Sequence, residues 1–245
     1  MNRLRYHELL ETDHDIQNPM SSAKLRRVIE CLEIRDGERI VDVGCGKGWL
    51  TCELASTHAV HVIGLDFSKV FTDIARARLA SAQLRGSAEI VLGPARDFPL
   101  PAQPFDVGLC IGATMALGDL AGTLEWMTKA VRPGGRIAIG EPFAARPMPA
   151  DIAARWTEYN RTVADIGEMF RDRGFDLTCV VGSSTGDWDH YESQHWRAAA
   201  NFVAAHPDDP DVEEVKTKSD ADRARYLAIE RDCFGWAIFV ARKSA

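Results

Sequence analysis

The ten residues Ile40-Val-Asp-Val-Gly-Cys-Gly-Lys-Gly-Trp49 restrict what this chain can fold into more than any other stretch. An apolar run stops at Gly44, Gly46 and Gly48, set at alternate positions, and the chain resumes with Leu50-Thr-Cys-Glu-Leu-Ala. That order predicts a buried strand, a tight glycine turn and a helix start. Glycine accepts positive φ and lets the backbone come close to a ligand, while the first helical turn offers N–H groups that have no intrahelical partner. The combination suits a nucleotide-like cofactor.

The same alternation of apolar strand and amphipathic helix continues downstream. Strands are predicted at Val60 to Leu65, Ala88 to Leu92, Phe105 to Ile111 and Arg136 to Gly140. Between them fall a helix from about Ser68 to Leu84, with Phe71, Ile74, Ala75 and Leu79 on one face, and a helix after Asp119 that carries Leu120, Leu124, Met127 and Val131. Upstream, Ser21 or Ser22 caps a helix whose Leu25, Val28, Ile29 and Leu32 share one face. Strands and helices in this order imply parallel pairing with right-handed crossovers, and the unbroken apolar run at Phe105 suits a central strand buried on both faces. With 245 residues, 46% of them hydrophobic, the chain is expected to form a single α/β domain over residues 1–245, doubly wound with helices on both faces.

Three segments stand outside that pattern. Residues 1–20 read as a lead-in, a short amphipathic piece (Leu4, Leu9, Leu10) followed by a polar run to Asn18-Pro19. Residues 142–160 read as a proline-rich loop and a helical stretch with Ile152, Trp156 and Tyr159, forming a cap over the sheet edge. After a helix (Val163, Ile166, Phe170) and a sixth strand from Phe175 to Gly182, residues 184–232 form a helical insertion before the last strand, Trp236 to Ala241. Asp187 and Asp209-Pro210 mark its helix starts, and Trp188, Tyr191, His195 and Phe202 share one helical face, as in a packed lid.

Charge narrows the partners. Asp and Glu outnumber Lys and Arg by 36 to 29, a formal charge of −7, which argues against broad affinity for nucleic acid or anionic membranes and favours a small molecule. The six cysteines include no CxxC pair, which reads as a set of free thiols in a reduced, cytoplasmic protein. No signal-peptide core or stretch of transmembrane length is evident, and homodimer formation is left open.

Val41-Asp42-Val43-Gly44-Cys45-Gly46-Lys47-Gly48 resembles the first motif of the Rossmann-like S-adenosylmethionine-dependent methyltransferases, in which an acidic residue stands two places before the first glycine. The resemblance implies that Gly44, Cys45, Gly46 and Gly48 approach the cofactor and that Asp42 meets its methionine part; a carboxylate beside an ammonium or sulfonium is complementary in charge. Asp66 closes the second strand, where a carboxylate can accept both ribose hydroxyls. Alone such an Asp is more often a helix cap; in register with the glycine turn it points to ribose, with Phe67 beside the adenine. The loop from Gly93 to Pro101 resembles the family's adenine loop but has Pro94 where the family often has Asp, so adenine contacts fall to the backbone of Ala95 and Arg96. Phe105-Asp106 and Arg132-Pro133-Gly134-Gly135 extend the match over about residues 35–141. The family also implies an antiparallel last strand in a mostly parallel seven-stranded sheet. Gly140-Glu141-Pro142-Phe143, Gly186 to Glu192 and Asp232 to Trp236 are similar to a bacterial methyltransferase group, without specifying an acceptor.

Methyl transfer is an in-line displacement from a sulfonium, so the protein chiefly aligns the partners and, for an oxygen or nitrogen acceptor, supplies a base. By location the candidates are Glu141, His14 and His190, while Cys110 and Gly112, at the end of the fourth strand, fall near the reactive methyl; plain core packing is the commoner role for a cysteine there. His190 and His195, five apart, do not share a helical face as i, i+4 ligands do, so no metal site is predicted. A nicotinamide-dependent oxidoreductase would more typically have its third glycine at the position of Trp49. A protein that binds S-adenosylmethionine without catalysis is the alternative from another class.

Overall fold

Strand formation follows the apolar runs closely. The computed structural model describes residues 1–147, 153 and 160–244. Seven strands, β1 (Arg39–Val43), β2 (His61–Asp66), β3 (Ser87–Leu92), β4 (Phe105–Ile111), β5 (Val131–Ala144), β6 (Phe175–Gly182) and β7 (Phe234–Lys243), form one sheet in the order β3-β2-β1-β4-β5-β7-β6. β1 to β5 are parallel, and β7 runs antiparallel to both β5 and β6. The order reverses at β1, between β2 and β4, which opens a crevice beyond the strand ends where ligands of such sheets bind.

Successive residues of a strand face opposite sides, so each strand feeds two cores. Ile40, Val62, Leu109, Ala138 and Ile238 pack with α2 (Ser22–Leu32) and α3 (Trp49–Thr57). Val41, Leu65, Ile139 and Phe239 pack with α5 (Leu120–Ala130) and Phe170 of α6 (Val163–Arg171). Two helices with less contact to these cores matter for the site: α1 (Arg3–Leu10), none of whose residues is buried, and α4 (Lys69–Ser81), which follows β2. The insertion holds α7 (Thr185–Ala205) and α8 (Val212–Arg225). Ser184, rather than Asp187, caps α7; Asp187 is the third helical residue, and its carboxylate accepts from the Ser184 N–H at 2.7 Å in a capping box.

Two expectations are corrected. The fifth strand does not stop at Gly140 but runs to Ala144, so residues 142–144 belong to the sheet and not to a cap. Pro142 is tolerated because β4 ends opposite Gly140, leaving only the β7 side of β5 paired at that point. Cys31 of α2 and Cys179 of β6 form a disulfide with Cα atoms 6.3 Å apart, against the expectation of six free thiols. They are 148 residues apart, and only the packing of α2 over the β6 edge brings them together. The proposed cap helix with Ile152, Trp156 and Tyr159 lies outside the described residues. Among the described residues no helix is long and apolar enough to cross a membrane.

Candidate cofactor and acceptor site

The glycine turn is a mould whose shape excludes side chains. Gly44, Gly46 and Gly48 have φ of 68°, 54° and 73°, the left-handed region that favours glycine. A Cβ on Gly44 would collide with Ala113, and one on Gly48 would lie 2.8 Å from the Cβ of Ala75 in α4. Backbone bonds from Gly44 and Cys45 to the Leu65 carbonyl (2.8 and 3.0 Å) tie the turn to the end of β2. Cys45 turns its thiol toward Gly64, in the space a side chain there would take, so its part in a ligand cradle falls to its backbone.

Two carboxylates flank the turn. Asp66 accepts from the Gly46 N–H at 2.9 Å and the Ser68 N–H at 2.8 Å, so it both holds the glycine loop and caps α4. Burial pushes its carboxyl above the usual range despite those donors. Asp42, at 2% exposure, accepts from the Thr51 hydroxyl at 2.7 Å; burial raises its pKa to about 6, against the pull of the Thr51 bond. A buried carboxylate with one hydroxyl donor is poised for a cation. Phe67 is exposed beside Asp66, Ala95 is buried at the base of a short 3-10 turn, and Arg96 is exposed.

The lead-in closes over this cradle. Lys47 is buried and sends its ammonium to the carbonyls of Glu11, Thr12 and His14 at 2.6, 2.9 and 2.8 Å. Its backbone N–H donates to Gln17 Oε1 at 2.7 Å, and the Gln17 amide fills the place where a Gly46 side chain would stand. The Ser68 hydroxyl donates to Glu8 of α1 at 2.6 Å. Between Gln17, Asn18, Asp42 and the glycines a cavity of about 50 Å³ remains.

A larger cavity, about 260 Å³, begins on the other side of Gln17 and Asn18 and runs beneath α7, with Glu141, Trp188, Tyr191 and Trp236 in its wall. Glu141 is 9% exposed and accepts from the Thr114 hydroxyl at 2.9 Å. The Trp236 indole fills the space over Gly140, where a Cβ would come within 2.5 Å of it, and reaches Gly112. Asn18 Oδ1 and Trp188 Nε1 are buried without a hydrogen-bond partner among the described residues, an acceptor and a donor left for a ligand.

The predicted residues therefore separate. Asp42, Gly44, Cys45 and Gly46 line the small cavity, Gly112 and Glu141 line the large one, and Gly48 and Asp66 support the turn between them. Cys110 does not join them: its side chain lies on the α5 face of β4, fully buried in the core, where loss of hydration holds the thiol protonated. His190 is exposed on α7 and its Nε2 meets Gln194 at 2.8 Å, away from both cavities. His14 is buried but faces Glu11, Tyr191 and His195. The lid face divides as well, with Trp188 and Tyr191 on the cavity, His195 in the His14 cluster and Phe202 against His206.

In that cluster burial alone would raise the Glu11 carboxyl, but the hydrogen bond and charge of His195 hold it at about 2. Burial likewise lowers His195, and Glu11 and Glu192 outweigh it to bring its pKa to about 9; burial keeps His14 neutral. Gln17, Asn18, Lys47 and Glu11 were not legible as site residues. The Asn18-Pro19 break was the one local signal, and it marked only where the lead-in turns.

A family model described as a methyltransferase domain matches residues 34–201. The Escherichia coli K12 protein YjhP is 31% identical over 241 residues, which cover 96% of each chain. Its crystal structure matches with a TM-score of 0.90 at 29% identity, covering 98% of this chain and 99% of that one. A methyltransferase of Geobacter sulfurreducens, described as S-adenosylmethionine-dependent and solved in complex with S-adenosylhomocysteine, gives a TM-score of 0.89 at 29% identity over 98% of each chain.

Proposed function

This chain belongs to the S-adenosylmethionine-dependent methyltransferases, and from that premise we propose that the larger cavity holds a small-molecule acceptor with Glu141 beside the reacting atom. The methyl donor is S-adenosylmethionine. Its ribose is assigned to Asp66, its adenine to Phe67 and the backbone of Ala95 and Arg96, and its methionine part to Asp42 and the glycine turn. The observation that carries the reading is that the two cavities meet at Gln17 and Asn18, just beyond the ends of β1 and β4. A donor seated on the first and an acceptor in the second would face each other across a short gap, as an in-line displacement needs.

In that step the acceptor's lone pair forms a bond to the methyl carbon while the carbon–sulfur bond breaks, leaving the thioether. An acceptor O–H or N–H must also lose its proton, and of the carboxylates in the cavity wall, Asp119, Glu141 and Glu230, we assign Glu141, which is buried and follows the end of the parallel part of β5, to take it. Trp188 N–H and Asn18 Oδ1 would fix the acceptor's polar groups. A cytoplasmic setting belongs to the same reading.

Calorimetric titration with S-adenosylhomocysteine tests the donor side: Asp66→Ala and Gly46→Val should each weaken binding by about tenfold or more, equivalent to about 1.4 kcal/mol. Unchanged affinity in both sinks the assignment. On the acceptor side, incubation with a fractionated metabolite pool should release S-adenosylhomocysteine, and Glu141→Gln should slow turnover about a hundredfold with cofactor affinity intact. If no fraction supports turnover, the chain binds the cofactor without catalysis.

A further inference from the structure

Glu11, His14 and His195 come together from two segments more than 180 residues apart in the chain, and each offers a ligating atom within 4.8 Å of the other two. Glu11 and His14 are fully buried, and His195 is largely so, with a side chain 16% exposed. The hydrogen positions are dictated by chemistry. His14 Nε2 lies 2.9 Å from the Tyr191 carbonyl, which can only accept, so Nε2 carries the proton. In the neutral ring Nδ1 is then a bare lone pair, and it faces Glu11 Oε2 at 3.5 Å. Two acceptors point at each other in a buried place, and neither has a hydrogen-bond partner among the described residues.

The surroundings supply what a metal ligand needs from its second neighbours. A ligating histidine usually donates its other ring N–H to a carbonyl or carboxylate, which sets its tautomer. His14 does so to Tyr191, and His195 Nδ1 has Glu192 Oε2 at 3.6 Å, leaving Nε2 toward Glu11 Oε1 at 3.0 Å. The Tyr191 hydroxyl donates to the same Glu11 oxygen at 2.7 Å. The Lys47 ammonium is engaged by the backbone carbonyls of Glu11, Thr12 and His14. We infer that Glu11, His14 and His195 form a binding site for a divalent transition metal ion, of which zinc is the type, fastening the lead-in to α7. Two imidazoles and a carboxylate suit such an ion, with a fourth position left to water. Donor atoms around a tetrahedral ion lie about 3.3 Å apart for metal–ligand distances near 2 Å, so the closure required from the present separations is on the order of 1 Å.

The measurement is metal uptake by the chelator-stripped full-length protein, followed by the stoichiometry of bound Zn²⁺ and by the visible absorption of Co²⁺. One ion per chain with the intense bands of a low-coordinate cobalt site is expected. Glu11→Gln, His14→Gln and His195→Gln should abolish it, Glu192→Gln should weaken it about 10- to 100-fold, and His190→Ala, on the same helix but outside the cluster, should leave it unchanged. Binding of S-adenosylhomocysteine by each variant reports that it has folded. Failure of the wild-type chain to take up either ion overturns the inference, as does uptake that survives in the His14 and His195 variants. Neither outcome bears on methyl transfer, since the readout is the ion itself.

Discussion

Beneath the expected cofactor position, Gly44, Gly46 and Asp66 are held by bonds to the backbone of adjoining strands and turns. Above it, Glu11, His14 and Gln17 are held by side chains and by one buried lysine that gathers three carbonyls of the lead-in. The lower region is a rigid mould, because each of its contacts is a sheet or turn bond made by elements that pack into the main cores. The upper region is a cover whose attachment rests on a few polar groups. The small cavity between them, about 50 Å³, is bounded by Gln17 and Asn18 of the cover and by Asp42, Gly44 and Gly46 of the mould. The difference assigns recognition to the mould and access to the cover.

The contrast can be broken most severely from below. Arg136 is buried on β5, paired with Glu38 through two contacts of 2.8 and 2.6 Å and bonded to the carbonyls of Leu32 and Glu33. Arg136→Met strands the Glu38 carboxylate, and urea denaturation should show a loss of about 3–5 kcal/mol, felt by the whole sheet. From above, Lys47→Met takes the ammonium away from the carbonyls of Glu11, Thr12 and His14, of which that of Glu11 keeps the His14 N–H at 3.1 Å, and should loosen the lead-in by about 1–3 kcal/mol. Limited proteolysis within residues 1–20 should quicken while the urea midpoint moves much less; equal losses in both would mean that cover and mould are a single unit.

Acid sharpens the comparison. Asp42 has its pKa raised to about 6, so its cost as a buried anion applies above that pH and is relieved as the pH falls below it. Asp42→Asn should therefore raise the stability of the cofactor-free protein at pH 8 and have little effect on it at pH 4. Cofactor affinity should run the opposite way, falling up to tenfold per unit below pH 6 in the wild type as the carboxylate is lost, a dependence that Asp42→Asn removes. A wild-type affinity that is flat from pH 5 to 8 would detach Asp42 from the cationic part of the cofactor. The smallest effect belongs to Phe67→Ala, whose exposed ring should contribute about 0.5–1.5 kcal/mol to S-adenosylhomocysteine binding and nothing measurable to stability.

The strands, the glycine turn and Asp66 were legible in the sequence because their signals are local. Apolar runs, alternate glycines and a strand-end acid each act within a few residues of their own position. Cys110 misled because alternation places every second strand residue on the far core, and the face it takes is set by the neighbouring strands. His190 and His14 were candidates by segment alone, and segment does not say which way a side chain turns.

Sequence by itself thus determined the parallel strands and the helices between them, which follow from periodicity, and the cofactor class, through the resemblance of the glycine turn and its neighbouring acids to a known family. Tertiary structure alone decided what surrounds the acceptor cavity and which polar groups meet in the dark of the cover. Gln17 with Gly46, Glu11 with His195 and Cys31 with Cys179 are contacts between distant segments, and no local pattern records which residue a folded chain will bring to its side.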